Sequence, residues 1–310
     1  VELLGFYGIG SFVLRKKGLC LKRFFVFTVD VEGMPLENGS FDYSSVVDGI
    51  PLLLDFFKEF NVCSTFFLTS DVAENTTDTI KEVIKHGHEI ACHGFEHQLL
   101  DLNSRNEQFK NIKRATEIID ENLHISPIGF RAPVNRVNEK TLRVLADLGY
   151  KYDSSVAPSS KIMNKYYFPR APRTPYWPSK NDIGRRGDSP ILEIPLSVLP
   201  LVKLPVGLSY ILLFGLDFYK FFLSKIDQKI VMVFLHPYDL FALPDQTNFR
   251  VIEQKRVFTF LSRKGKGNGF LILRELLEFI ERKFSPTYIC ARAVLNHFSA
   301  DESELVSSRT

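Results

Sequence analysis

FFVFTVDVEG, residues Phe24–Gly33, decides the fold. Phe24–Asp30 is an apolar run dense in aromatic and β-branched residues, as expected of a strand buried on both faces. It then ends on two carboxylates, Asp30 and Glu32. In an extended chain residues two apart share a face, so both acids point the same way. Two acids crowded at the end of an apolar strand are costly unless a cation or hydrogen bonds offset their repulsion.

Outward from this strand the pattern alternates. VVDGIPLLLDFFKEF (Val46–Phe60) predicts a helix and CSTFFLT (Cys63–Thr69) a strand. Thr77–Lys85 predicts a helix stopped by Gly87, and HEIAC (His88–Cys92) a short strand. Asn103–Glu121 opens with a capping signal and carries apolar residues at helical spacing. IGFRAP (Ile128–Pro133) predicts a fourth strand, and Glu139–Leu148 a helix closed by Gly149. Residues 157–190, rich in Pro, Ser, Gly and Arg, read as a long excursion. ILEIPL (Ile191–Leu196) and IVMVFLH (Ile230–His236) are further strands, with an apolar helix near Tyr210–Ile226 between them. Helices around Arg250–Arg263 and Leu273–Lys283 complete the chain.

This order is that of an α/β protein with a parallel sheet and crossover helices. A distorted β/α barrel of about seven parallel strands fits better than an open sheet, because ionisable residues recur just past strands. Asp30 and Glu32 end the first, His93 and His97 follow the third, and Arg131 ends the fourth. Asp153 follows a short segment, Tyr150–Tyr152, and His236 ends IVMVFL. In a barrel all of these share one rim.

The chain of 310 residues is 45% hydrophobic with 28 Phe and 11 Tyr, ample for one large core over residues 24–298. The net charge of +3 is scattered, which argues against a nucleic-acid partner. Cys20, Cys63, Cys92 and Cys290 make no CxxC pair and read as buried small hydrophobes, with a single bridge left open. Residues 1–23 hold an apolar run, Leu3–Leu14, too short to span a bilayer, which needs about 20 residues. It reads as packed on the domain or as membrane-proximal. Residues 299–310 are a polar tail. With no complete signal peptide, the expected location is the cytoplasm or the membrane surface, and secretion stays open.

His93-Gly-Phe-Glu-His97 places two imidazoles at i and i+4, which on a helical turn would share a face and a metal. Two histidines plus one carboxylate, with positions left for water, is a hydrolytic metal-site pattern. The second carboxylate then serves as general base, Arg131 orients it, and His236 protonates a leaving amine. Asp153 is expected to pair with a histidine and keep it cationic.

At these residues the chain resembles the polysaccharide deacetylase family, also called the NodB-homology or carbohydrate esterase family 4 group. Thr28-Val29-Asp30-Val31-Glu32-Gly33 is similar to the first family motif in a D-x-E form, and His93–His97 to the second. Arg131-Ala132-Pro133 resembles the third, Tyr152–Ser155 stands at the fourth, and Leu235-His236-Pro237 resembles the fifth. The resemblance implies a NodB-like barrel with one divalent metal, zinc before Co2+, Mn2+, Fe2+ or Ni2+. The ligands it implies are Glu32, His93 and His97. It implies Asp30 as base, Arg131 as its orienter, Asp153 as the acid that tunes the catalytic histidine, and His236 as general acid. Pro133, Val134 and Tyr238 are set beside the substrate, with a backbone N–H near Val134 binding the oxyanion.

The expected substrate is an N-acetylated amino sugar, free or polymeric. Two alternatives stay open: deformylation or deacetylation of a lipid-linked amino sugar at a membrane surface, and a non-catalytic sugar-binding barrel. Oligomeric state is not legible in the sequence.

Overall fold

The structure is a computed structural model that describes residues 23–101, 103–161, 167–241 and 268–298. The expected helix around Arg250–Arg263, the apolar run Leu3–Leu14, Cys20 and the tail 299–310 lie outside the described residues. Chain order gives β1 (Phe24–Val31), the pair β2 (Met34–Pro35) and β3 (Phe41–Asp42), α1 (Ser44–Val47), α2 (Gly49–Glu59) and β4 (Ser64–Leu68). Then come α3 (Ser70–Asn75), α4 (Thr77–Lys85), β5 (Glu89–Cys92), α5 (Arg105–Leu123), β6 (Gly129–Phe130), α6 (Glu139–Asp147) and β7 (Tyr152–Asp153). The hairpin β8 (Pro178–Ser179) and β9 (Asp182–Arg186) occupies part of the expected excursion. It is followed by β10 (Leu192–Glu193), α7 (Leu208–Phe214), α8 (Leu216–Leu223), β11 (Ile230–Leu235), α9 (Gly269–Phe284) and β12 (Thr287–Tyr288).

The main sheet is parallel, in the order β10-β7-β6-β5-β4-β1-β11, with β12 also paired to β1. Beyond β10 the chain turns back towards β11. The Met232 N–H donates to Ser197 Oγ at 2.9 Å, Val206 N–H to Ser197 O at 2.8 Å, and Phe234 N–H to Val206 O at 3.1 Å. This segment curls the sheet into the expected distorted barrel. Every residue of β1 is buried, as its unbroken apolar run requires of a strand paired on both sides.

Side-chain alternation sorts each strand into two faces. Phe25 and Phe27 of β1 meet Phe284 of α9 and Phe57 of α2, so they face the surrounding helices. Thr28 and Asp30 face the barrel interior, where both contact Arg131. The register carries that parity from strand to strand: Thr28 beside Thr65, Thr65 beside Glu89, and Gly129 beside Tyr152. Tyr152 and Thr65 duly converge on Glu89, donating to its two oxygens at 3.0 and 2.7 Å. Gly129 must be glycine, because a Cβ there would lie 2.0 Å from the Tyr152 ring.

Several expected elements are shorter or divided, among them the strand Ile191–Leu196, of which only Leu192–Glu193 forms. The predicted helix Val46–Phe60 breaks at Asp48, and the one near Tyr210–Ile226 breaks at Gly215, whose φ of 95° no helix accepts. The fourth strand stops at Phe130, because a 3-10 turn starts at Pro133. Among the described residues Cys63, Cys92 and Cys290 are unbridged, and no helix is long and apolar enough to cross a membrane.

Candidate metal and active site

Glu32, the residue after β1, and His93 and His97, just past β5, form the centre of the rim. Their ligand atoms all lie within 4.8 Å of one another. The backbone does this without a helix, contrary to the expectation for the i, i+4 pair. Gly94, Glu96 and His97 all have left-handed φ, of 84°, 46° and 55°. The segment is therefore a tight loop that folds His97 back towards His93, with ring centroids 5.5 Å apart. Gly94 supplies the first of these turns at no steric cost.

Three features suit the trio to a cation. His93 Nδ1 is 2.8 Å from the Arg131 carbonyl oxygen. A carbonyl only accepts, so Nδ1 carries the proton and Nε2 keeps its lone pair for a metal. Glu32 Oε2 and His97 Nε2 approach to 2.5 Å, yet Oε2 receives no aligned hydrogen bond and is buried. Glu32 is held by Tyr238, whose hydroxyl donates to Oε1 at 3.1 Å. Burial pushes His93 down to about 4, which leaves it a neutral imidazole at pH 7. Burial works against the charges of Glu32 and His97 too, but their mutual attraction outweighs it, so the carboxylate stays below its ordinary range and the imidazole rises.

Arg131 is fully buried in the barrel. Its guanidinium lies over the Phe67 ring at 4.2 Å and donates to Asp30 Oδ1 at 2.5 Å, Thr28 Oγ1 at 2.9 Å and Ser154 Oγ at 3.0 Å. Asp30 is thus clamped by one oxygen, and its Oδ2 is left for chemistry. The expected pairing of Arg131 with Asp30 holds.

Asp153 departs from expectation. Ser154 faces the interior against Arg131, so the strand's alternation turns Asp153 to the opposite face. There it accepts from Ser155 Oγ at 2.6 Å and lies in register with Glu193. Burial raises both carboxyls, and the nearby Asp153 charge lifts Glu193 further. Ser155 Oγ in turn accepts the Ala132 N–H at 2.8 Å. Asp153 therefore braces the Arg131–Pro133 segment and is not the partner of His236.

That partner is Asp239, which the sequence reading passed over. His236 Nδ1 is 3.3 Å from Asp239 Oδ2, and its ring is stacked on Tyr238 at 4.5 Å. The signal was present in HPYDL: an acid three residues after a residue followed by proline is the pattern of a turn that folds back on its own start. Burial opposes charge on His236, but Asp239, then Glu32 and Asp30, outweigh it and lift the ring to about 9. Tyr238, expected beside the substrate, links His236 to Glu32. Pro133 is buried at the start of its turn, and Val134 adopts φ 55°, a strained conformation for a β-branched residue. The turn's bonds begin at Asn135 N–H to Ala132 O and Arg136 N–H to Pro133 O, so the Val134 N–H precedes them.

Comparisons with known proteins find polysaccharide deacetylases. The family profile for polysaccharide deacetylases matches residues 39–152. A peptidoglycan deacetylase of Helicobacter pylori is 28% identical over 108 residues, covering 35% of this chain and 37% of its own. A peptidoglycan-N-acetylglucosamine deacetylase of Bacillus cereus is 29% identical over 104 residues, covering 34% and 38%. The chain thus spans little more than a third of the length of these relatives. Among solved structures, a peptidoglycan deacetylase of Bacillus subtilis superposes with a TM-score of 0.51 at 11% identity, over 93% of this chain and 97% of that one, which is a likeness of fold.

Proposed function

We propose that this chain, whose residues 39–152 match the family profile for polysaccharide deacetylases, is a metal-dependent hydrolase removing acetyl groups from N-acetylhexosamine units of a polysaccharide or oligosaccharide. The observation that supports this best is the convergence of Glu32, His93 and His97 within 4.8 Å, on a rim shared with Asp30 and His236.

Glu32, His93 and His97 would hold one divalent ion, zinc being the best match to two imidazoles and a carboxylate. When bound, such an ion polarises a carbonyl and acidifies water. The chain's own groups do the rest. Asp30 Oδ2 takes the proton of the attacking water, while Arg131 holds Oδ1 and fixes the carboxylate's angle. The Val134 N–H binds the oxygen of the acyl group as it gains negative charge. His236, cationic up to about pH 9, gives its Nε2 proton to the leaving nitrogen.

The test is metal content of the purified protein together with acetate release from N-acetylglucosamine oligomers, with and without chelator. Near one metal per chain and chelator-sensitive acetate would support the reading. Asp30→Asn should keep its metal and lose turnover by about 100-fold or more. Metal without acetate would redirect the search to formylated or lipid-linked amino sugars, and a protein that binds no metal would overturn the enzyme reading.

A further inference from the structure

The turn after β11 is tied to a helix that follows a different strand. Asp239 Oδ2 accepts the backbone N–H of His236 at 2.9 Å and faces its Nδ1 at 3.3 Å. Asp239 Oδ1 accepts the hydroxyl of Ser209, in the first turn of α7, at 2.6 Å. Both residues are buried. The three side chains form one line, Ser209 to Asp239 to His236, running from α7 to the rim. A carboxylate can rotate to offer either oxygen; with Ser209 on Oδ1, only Oδ2 remains for the ring. Gly207, just before α7, bridges to Phe234 of β11, which fixes the helix start against the strand that carries His236. A Cβ on Gly207 would come within 2.4 Å of the Phe234 ring, so this close approach also depends on glycine.

Resting on the deacetylase reading above, we propose that Asp239 and Ser209 are positioning residues for the general acid. Asp239 holds the imidazole with Nδ1–H turned inward and Nε2 turned to the substrate, and Ser209 locks the carboxylate in the rotation this needs. As the bond between acyl carbon and nitrogen breaks, the nitrogen keeps the electron pair and takes the proton from His236 Nε2. The proton comes from His236 alone, and His236 is reprotonated from solvent. The charged and titratable groups that face His236 are Asp239 from its own turn, Glu32 and Asp30 from the β1 side, and His97 from the loop after β5, with the Tyr238 ring stacked on one side.

A pair of substrates separates this role from a structural one. Cleavage of the N-acetyl amide needs a proton on its amine leaving group, whereas 4-nitrophenyl acetate releases a phenolate that needs none. Asp239→Asn should lower kcat on N-acetylglucosamine oligomers by about 100-fold, and on the ester far less. The basic limb of its amide pH profile should move to lower pH, because the anion that favours the imidazolium is gone. Ser209→Ala should act in the same direction by about tenfold, and Ser209→Thr, which keeps the hydroxyl, should recover most of the loss. Metal content should match the parent in all three. Amide and ester activities that fall in parallel, with an unmoved basic limb, would overturn the proposal while leaving the deacetylase reading intact. A parent protein that binds metal but cleaves neither substrate would overturn that reading, and the proposal with it.

Discussion

His93 donates through Nδ1 to the backbone oxygen of Arg131 at 2.8 Å, so the residue whose side chain clamps Asp30 also sets the tautomer of a proposed metal ligand. Base and ligand are thereby coupled through one residue. Arg131→Lys removes the planar fork that reaches Asp30, Thr28 and Ser154 together, and leaves a buried carboxylate poorly paired. It should lower the unfolding free energy by about 3 kcal/mol. Chemical denaturation checks this; an unchanged midpoint would mean that the barrel interior is far wetter than its packing indicates.

Tyr238→Phe should weaken metal binding by about tenfold while sparing kcat at saturating metal. The phenol donates to Glu32 Oε1, whereas its ring, stacked on His236, survives the change. Metal titration against a chelator of known affinity distinguishes the two effects. A loss of kcat with normal affinity would show instead that the hydroxyl contacts the substrate.

Gly94→Ala isolates a backbone effect. An added Cβ would meet the Pro133 ring at 3.5 Å, an ordinary contact, so space is available. The cost lies in the φ of 84°, which a residue with a Cβ resists. Stability should fall by about 1 kcal/mol, and metal affinity should fall with it because the loop carries both histidines. Thermal unfolding with and without metal measures both.

Glu89 should make the folded state less stable as pH rises. Burial inside the barrel lifts its carboxyl from 4.5 to about 7. A folded-state pKa above the unfolded one means a contribution fully present below about pH 4.5 and lost as pH climbs through 7. Glu89→Gln should therefore cut the stability lost between pH 5 and pH 8 by roughly 2.5 kcal/mol. The amide fits if its oxygen faces Thr65 and the Arg292 N–H and its NH2 group faces the Tyr152 hydroxyl, which can also accept. Equal pH slopes in parent and variant would show that Glu89 is hydrated.

Much of this was legible in the sequence because strand alternation is a strict code. Asp30 and Glu32, two apart on an apolar strand, announced a polar end to a buried run, and the recurrence of ionisable residues at other strand ends announced a common rim. The errors were errors of local geometry. His93 and His97 have helical spacing, but nothing in HGFEH shows that Glu96 and His97 take left-handed backbone; Gly94 alone hinted at it. Asp153 was misread by one place: Ser154 faces the interior, and a shift of one residue changes the face. Asp239 was hidden by its nearness, since an acid three residues from a histidine reads first as turn chemistry. The pairing of β12 with β1 and the Arg292 N–H to Glu89 bond depend on contacts across more than 200 residues that no local pattern records.

The central place of β1 has a consequence for how the chain is made. One edge of this strand can pair with β4 soon after both leave the ribosome, but the other edge waits for β11, roughly 200 residues later. At common translation rates that is on the order of 10–40 s during which an apolar strand, FFVFTVDV, presents an open row of amides and carbonyls. The nascent chain is most exposed to mispairing in that interval. A chaperone that shields this edge, or a pause in synthesis after β11 emerges, would do more for the yield of folded protein than any stabilising change in the finished barrel.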